Sequence, residues 1–187
     1  MIPKLIRPRR FGDARGWFSE TYNAKTFADL GIADVFVQDN HSLSAARGTL
    51  RGLHCQLAPH AQVKLVRCLR GAIFDVAVDL RRGSPTFGQS VSAILTADGG
   101  EQLYVPVGFA HGFLTLTDHA EVHYKCTDFY APECEAGVIW DDPALAIDWP
   151  LEGTAPVLSD KDQLLPRLED FAGQFDYDGT PLAPLEA

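Results

Sequence analysis

Methionine is almost absent from this chain, at one in 187 residues, and histidine is scarce at six. Cysteine is limited to Cys55, Cys68, Cys126 and Cys134, and no two of them form a C-x-x-C pair. A thiolate zinc site is therefore not indicated, and reduced thiols in a cytoplasmic protein fit best. Long apolar runs are missing too. No stretch approaches the ~20 residues a membrane span needs. The basic start (Lys4, Arg7, Arg9 and Arg10) leads into no apolar segment, so no secretory leader is visible. Positive charge is in deficit, with 16 Lys plus Arg against 25 Asp plus Glu and a net charge of -9. That balance argues against a general nucleic-acid surface, although a few clustered cations can still hold a small anion. Internal repeats and low-complexity segments are absent.

What is present reads as one domain of short strands. The length suits a single domain with a sizeable core, ending in a peripheral tail over about residues 171–187. Residues 72–80 alternate, with Phe74, Val76, Val78 and Leu80 on one face and Asp75 and Asp79 on the other. Residues 87–96 alternate again through Val91, Ala93 and Leu95. Asp98-Gly99-Gly100 is a turn before an extended run over 101–105. Residues 111–118 and 120–128 look like a further strand pair joined near Asp118-His119, and 137–140 like a short strand. Helix signals are few. Asn23 caps a helix over 24–30 that Gly31 ends, and Ser159 with Asp162 forms a capping-box pattern opening 159–165. The Pro-rich end, 180–187, reads as a loose tail. Many short strands with frequent turns point to an all-β sandwich or barrel.

Two motifs carry chemistry. The first is Arg51-Gly52-Leu53-His54-Cys55-Gln56, followed by Gln62-Val63-Lys64. It sets an imidazole and an ammonium on neighbouring extended segments. A base beside a cation is the minimum equipment for removing a proton from carbon next to a carbonyl, since the cation steadies the enolate oxygen. A lone strand histidine is often structural, but the flanking Arg51 and Lys64 suit an anionic ligand better than a structural imidazole. Lys64 could be a solvated edge lysine; Asp75 would pair with it if their strands were hairpin partners across Gly71. Tyr124 shares a face with Val122 and Cys126, either as a core tyrosine or as a phenol that returns a proton opposite His54. Asp162 is either a helix-cap residue or the carboxylate that orients His54, and the two readings are compatible.

The second motif, Pro106-Val107-Gly108-Phe109-Ala110-His111, is a tight turn that aims a histidine into a barrel, as cupins do. Metal-binding cupins also carry H-x-H and a Glu. Here the matching place reads His54-Cys55-Gln56, and no Glu follows it before Glu101, so no metal set is expected.

With these residues in view, the chain resembles the dTDP-4-dehydrorhamnose 3,5-epimerase family. The blocks FGDARGWFSETYN, FVQDNHS, GTLRGLHCQ, QVKLVRC, FDVAVDLRRGSPTFG, PVGFAHGF, YKCTDFY, WDDP and LSDKD occur in order over about residues 4 to 170. The resemblance implies a cupin-type jelly roll without metal or organic cofactor. It also implies a homodimer whose N-terminal strands cross to the partner, while charge and the lack of long apolar runs leave no nucleic-acid or membrane partner expected. The implied substrate is a dTDP-linked 4-keto-6-deoxyhexose. His54 is then the general base, Tyr124 the acid, Asp162 the support for His54, and Lys64 the group at the keto oxygen. Substrate contacts fall on Arg15, Glu20, Gln38, Asp39, Asn40, Arg51, His111, Glu135 and Lys161, and Phe18 or Tyr130 could stack on thymine. Cys55 stands where the family commonly has an aromatic. The other readings that remain open are a C3-only or C5-only relative, a metal-dependent cupin and a non-catalytic nucleotide-sugar binding module.

Overall fold

Alternation of apolar and polar residues makes strands that bury one face, and two such sheets can hide those faces against each other. The computed structural model describes residues 1–186. Its strands, in order, are β1 (Lys4–Ile6), β2 (Arg10–Asp13), β3 (Gly16–Ser19), β4 (Gln38–Ser44), β5 (Leu50–Gln56), β6 (Lys64–Arg70) and β7 (Ala72–Asp79). Then follow β8 (Arg81–Arg82), β9 (Ser90–Thr96), β10 (Gln102–Val105), β11 (Phe109–Thr115), β12 (Ala120–Cys126), β13 (Glu135–Gly137) and β14 (Phe175–Asp176). One sheet runs β1-β10-β6-β12-β4 and the other β13-β5-β11-β7-β9. Their antiparallel pairing and crossing connections make the cupin-type jelly roll that the resemblance implied.

Three apolar layers hold it. Val66 and Cys68 of β6, Ile73 and Ala77 of β7, Phe113 of β11 and Val122 of β12 meet between the sheets. Leu53, Val76, Val78 and Leu114 pack outward against Val138, Leu145 and Trp149 of the later chain. Helix α1 (Ala24–Asp29) covers the other sheet, placing Phe27 against Ile6, Val63 and Leu65. Asn23 caps α1 by accepting from the Lys25 and Thr26 amides; such a cap is worth about 1 kcal/mol. Gly31 follows at φ 78°, which suits glycine.

The expectation that residues 111–118 and 120–128 pair with each other is overturned. β11 bonds β5 and β7, whereas β12 bonds β4 and β6. The chain changes sheet at 116–119, which alternation cannot reveal because it fixes a face and not a neighbour. The Lys64–Asp75 pairing fails for the same reason: β6 and β7 lie in different sheets, and Asp75 Oδ1 instead accepts from His111 Nε2 at 2.7 Å. The strand read at 137–140 lies at Glu135–Gly137. The helix read at 159–165 is a single 3-10 turn, Asp162–Leu164.

Among the described residues the tail read as loose over 180–187 is packed, and Ala187 lies outside them. Leu182 and Leu185 pack on the inter-sheet layer, and the Leu182 amide donates to Thr86 Oγ1 at 2.9 Å. β14 runs parallel to β8, where the buried Arg81 pairs with Asp79 at 2.8 Å and Asp178 at 3.1 Å. Of the N-terminal strands, β1 is paired inside the chain with β10. The hairpin β2–β3 instead projects with Phe11, Trp17 and Phe18 more than half exposed.

Candidate active site

The inter-sheet layer fills only part of the barrel, and the remainder is polar. Lys64 projects inward on the same side of β6 as Val66 and Cys68. Tyr124 does so from β12, between Val122 and Cys126. From the opposite sheet come His54 on β5 and His111 on β11, which are direct cross-strand partners. Gly52 allows this close approach. A Cβ there would lie 2.6 Å from Gly112 Cα and 2.7 Å from the His111 carbonyl oxygen, and its φ of +113° also favours glycine.

These side chains share a cavity of about 270 Å³ lined by Ser42, Arg51, His54, Lys64, His111, Phe113, Tyr124, Glu135, Ser159, Lys161 and Asp162. A second cavity, also about 270 Å³, shares His54, Lys64, Tyr124 and Glu135 with it and adds Gln38, Asn40, Cys55, Gln56, Gln62 and Tyr130. The two together form one cleft with its ionisable groups at the common wall. The size and the few convergent polar groups suit a small-molecule site.

His54 Nε2 lies 2.6 Å from Asp162 Oδ1, an ion-pair contact, and neither atom makes a hydrogen bond elsewhere among the described residues. Asp162 is held in turn by Ser159, whose hydroxyl donates to Oδ2 at 2.7 Å. Burial pushes the Asp162 carboxyl up, but the contacts with His54 and Ser159 outweigh it, so the net shift is downward. An ionised Asp162 can only accept, so Nε2 carries the ring proton and Nδ1 is left for a ligand. Lys64 Nζ donates to the His54 carbonyl at 3.4 Å. Its ammonium is pulled below the ordinary lysine range by burial, against the nearby Glu135 and Asp75 carboxylates among other groups. Tyr124 is shifted the other way: burial raises its pKa, so it remains a phenol.

Cations stand by the same cavity. Arg51 donates to Ser44 Oγ at 3.2 Å. Lys161 is paired with Glu135, which also accepts from the Tyr130 hydroxyl at 2.7 Å. Burial raises the Glu135 pKa, and the bonds from Lys161 and Tyr130 bring it below the ordinary value. Cys55 borders the second cavity, with its thiol pushed up to about 12 by burial, hence neutral.

Ten of the thirteen residues singled out from the sequence line the cleft. Three do not. Asp39 points to the opposite face of β4 from Gln38 and Asn40 and pairs with Lys125 at 2.8 Å, as period-two alternation requires. Arg15 and Glu20 belong to the projecting hairpin segment, where Arg15 is 90% exposed and bonds Asp13. Sequence reasoning missed Ser42, Gln56 and Phe113 as lining residues. Ser42 was accessible, because it shares the strand face of Gln38 and Asn40.

Comparison with known proteins gives this cleft its context. The family described as dTDP-4-dehydrorhamnose 3,5-epimerase matches residues 3–170. A dTDP-4-dehydrorhamnose 3,5-epimerase of Sinorhizobium fredii is 57% identical over 175 residues, 93% of this chain and 89% of the relative. The Bacillus anthracis enzyme of that name, solved with TDP and PPi bound, superposes with a TM-score of 0.86 at 54% identity, covering 88% of this chain and 93% of the other. A Legionella pneumophila dTDP-6-deoxy-D-glucose-3,5-epimerase, solved with dTDP-4-keto-L-rhamnose, gives 0.85 at 51% identity, covering 90% and 88%.

Proposed function

We propose a catalytic mechanism for this chain on the premise that it belongs to the dTDP-4-dehydrorhamnose 3,5-epimerase family. It is an isomerase that inverts C3 and C5 of dTDP-4-dehydro-6-deoxy-alpha-D-glucose, giving dTDP-4-dehydro-beta-L-rhamnose. The observation that carries the mechanism is the meeting of His54, Lys64 and Tyr124 in one cleft, with Asp162 behind the imidazole.

The C4 ketone acidifies the hydrogens on C3 and C5. His54 Nδ1 removes one of them, and the C–H electron pair moves into the enolate while the ring becomes imidazolium. Asp162 stabilises that charge and holds the ring orientation. The Lys64 ammonium takes up the negative charge gathering on the ketone oxygen. Tyr124, kept protonated by burial, then delivers its proton to the opposite face of the carbon, and the configuration inverts. Proton exchange with solvent returns His54 to its base form and Tyr124 to the phenol. The cycle repeats at the second carbon. General acid–base help of this kind is worth about 10²–10⁴-fold.

The nucleotide supplies orientation. Arg51 and Lys161 offer charge-assisted hydrogen bonds to the diphosphate. Glu135 presents Lys161 and Tyr130 together, so the Tyr130 ring is available to thymine beside Gln38 and Asn40. Arg15 and Glu20 lie outside the chain's own cleft. We assign them to the cleft of a second copy, reached by the β2–β3 hairpin. The exposed Phe11, Trp17 and Phe18 on the hairpin, with the exposed Val35 and Val37 just before β4, are the apolar surface such a homodimer would bury.

The test is NMR of the product formed in D2O. Deuterium at both C3 and C5 is the expected result. Deuterium at one carbon would leave a single-site epimerase, and deuterium at neither would reject the mechanism.

A further inference from the structure

Asp75 belongs to no role described so far. It is 0% exposed, in a strand whose other buried residues are apolar apart from Asp79. Its Oδ1 accepts from His111 Nε2 at 2.7 Å, while its Oδ2 has no partner within the chain. His111 in turn lines the cleft and stands directly across from His54.

The arrangement resembles that of His54 and Asp162 in setting a cleft-facing imidazole with its Nε2 against a buried carboxylate, but here the facing oxygen makes a hydrogen bond and the far oxygen is the one without a partner. Because an ionised carboxylate only accepts, Nε2 must carry the His111 proton. Nδ1 is the nitrogen left over, and it makes no hydrogen bond among the described residues. Two consequences follow for a bound sugar. The ring cannot turn, since rotation would break the Asp75 bond, and in its neutral form it offers the sugar a hydrogen-bond acceptor. The negative field of Asp75 also reaches Lys64, where it opposes the effect of burial on that ammonium.

We propose that Asp75 is a positioning residue. It locks His111 with the Nδ1 lone pair turned into the cleft, where it accepts a hydrogen bond from a hexose hydroxyl and holds the ring in register with His54. This rests on the mechanism proposed above and adds a second imidazole–carboxylate pair to it, one that binds and orients without exchanging protons with carbon.

The experiment combines kinetics with ¹⁵N NMR of the histidine rings in the full chain. In the wild type, His111 should show the Nε2–H tautomer. Asp75→Asn, which keeps the side-chain volume, should lower kcat by about 10–100-fold, as for a misplaced substrate, and change dTDP affinity by less than about threefold. It should also remove that tautomer preference. His111→Asn should lose a similar amount, and the double variant should be no slower than His111→Asn within about twofold, because both act through one contact. An Asp75→Asn variant within about threefold of wild-type kcat, losses that multiply, or an Nδ1–H tautomer in the wild type would each overturn the proposal. If Asp75→Asn fails to fold, the wild-type tautomer decides. If the wild type itself does not epimerise the sugar, the mechanism above fails, while the tautomer still reports on the Asp75–His111 pair.

Discussion

His54 and His111 face one another across two paired strands, and each has a carboxylate on Nε2, at 2.6 and 2.7 Å. Their settings differ. The His54 side chain is 27% exposed and its carboxylate comes from a 3-10 turn late in the chain; the His111 side chain is 7% exposed and its carboxylate lies inside the sheet. The lesson is that one chemical pair can serve two purposes according to access. A base that must reach carbon and then exchange its proton with solvent needs an open edge. A ring that only holds the sugar is better sealed among strands. The Asp162 turn, braced by Ser159, is a local support that can be removed without opening the barrel, whereas Asp75 is part of the barrel wall.

Substitutions can break this comparison, and the largest effect belongs to the open pair. His54→Ala should lose activity about 10⁴-fold, at the upper end for a general base, with dTDP affinity retained in calorimetry. If His111→Ala proved equally damaging, the division of labour would be wrong. Next come losses of about 10²-fold for Tyr124→Phe and Asp162→Asn. In Tyr124→Phe, substrate recovered from D2O should carry deuterium at C3 or C5 without inversion, because removal of the proton survives and its delivery to the other face does not.

A smaller effect separates the Asp162 pair by stability. The Asp162 pKa is lowered in the folded chain by His54 and Ser159 despite burial. Its contribution is therefore complete above the ordinary carboxylate pKa of about 4 and fades as pH falls through the lower folded value. The Tm gap between wild type and Asp162→Asn should be full at pH 7 and should close in acid; a gap that widened in acid would contradict this. The smallest effect concerns the projecting hairpin. Arg15→Ala should raise KM about 10-fold, as for loss of one charge-assisted hydrogen bond, and leave kcat nearly unchanged. An unchanged KM would remove Arg15 from the substrate site.

Much of this was legible in the residues. Alternation located β7, β9, β10 and β12 because each buries a face, and Asn23 with Gly31 bracketed α1 because caps are local chemistry. Which strands lie side by side was not legible. Residues 111–118 and 120–128 read as a strand pair, yet the crossing between them depends on how the whole barrel closes. The Asp75–His111 pair was hidden for the same reason, since its partners come from strands thirty-odd residues apart whose adjacency only the topology sets. Composition misled at the C-terminus, where prolines concealed the packing of Leu182 and Leu185. Within the cleft, the spacing of the first motif brought out His54 and Lys64 and the family resemblance added Tyr124 and Asp162, while Asp39 was carried in by its neighbours although its side chain leaves on the other face.

The most direct measurement is a crystal structure of the chain with the dTDP-linked ketosugar, or a non-reacting analogue, in the cleft. The account predicts that the His54 Nδ1 atom and the Tyr124 hydroxyl flank the hexose from its two sides, each within reach of C3 or C5, with Lys64 at the ketone oxygen. Both groups lying beneath one side of the ring, or Tyr124 standing away from the sugar altogether, would contradict it.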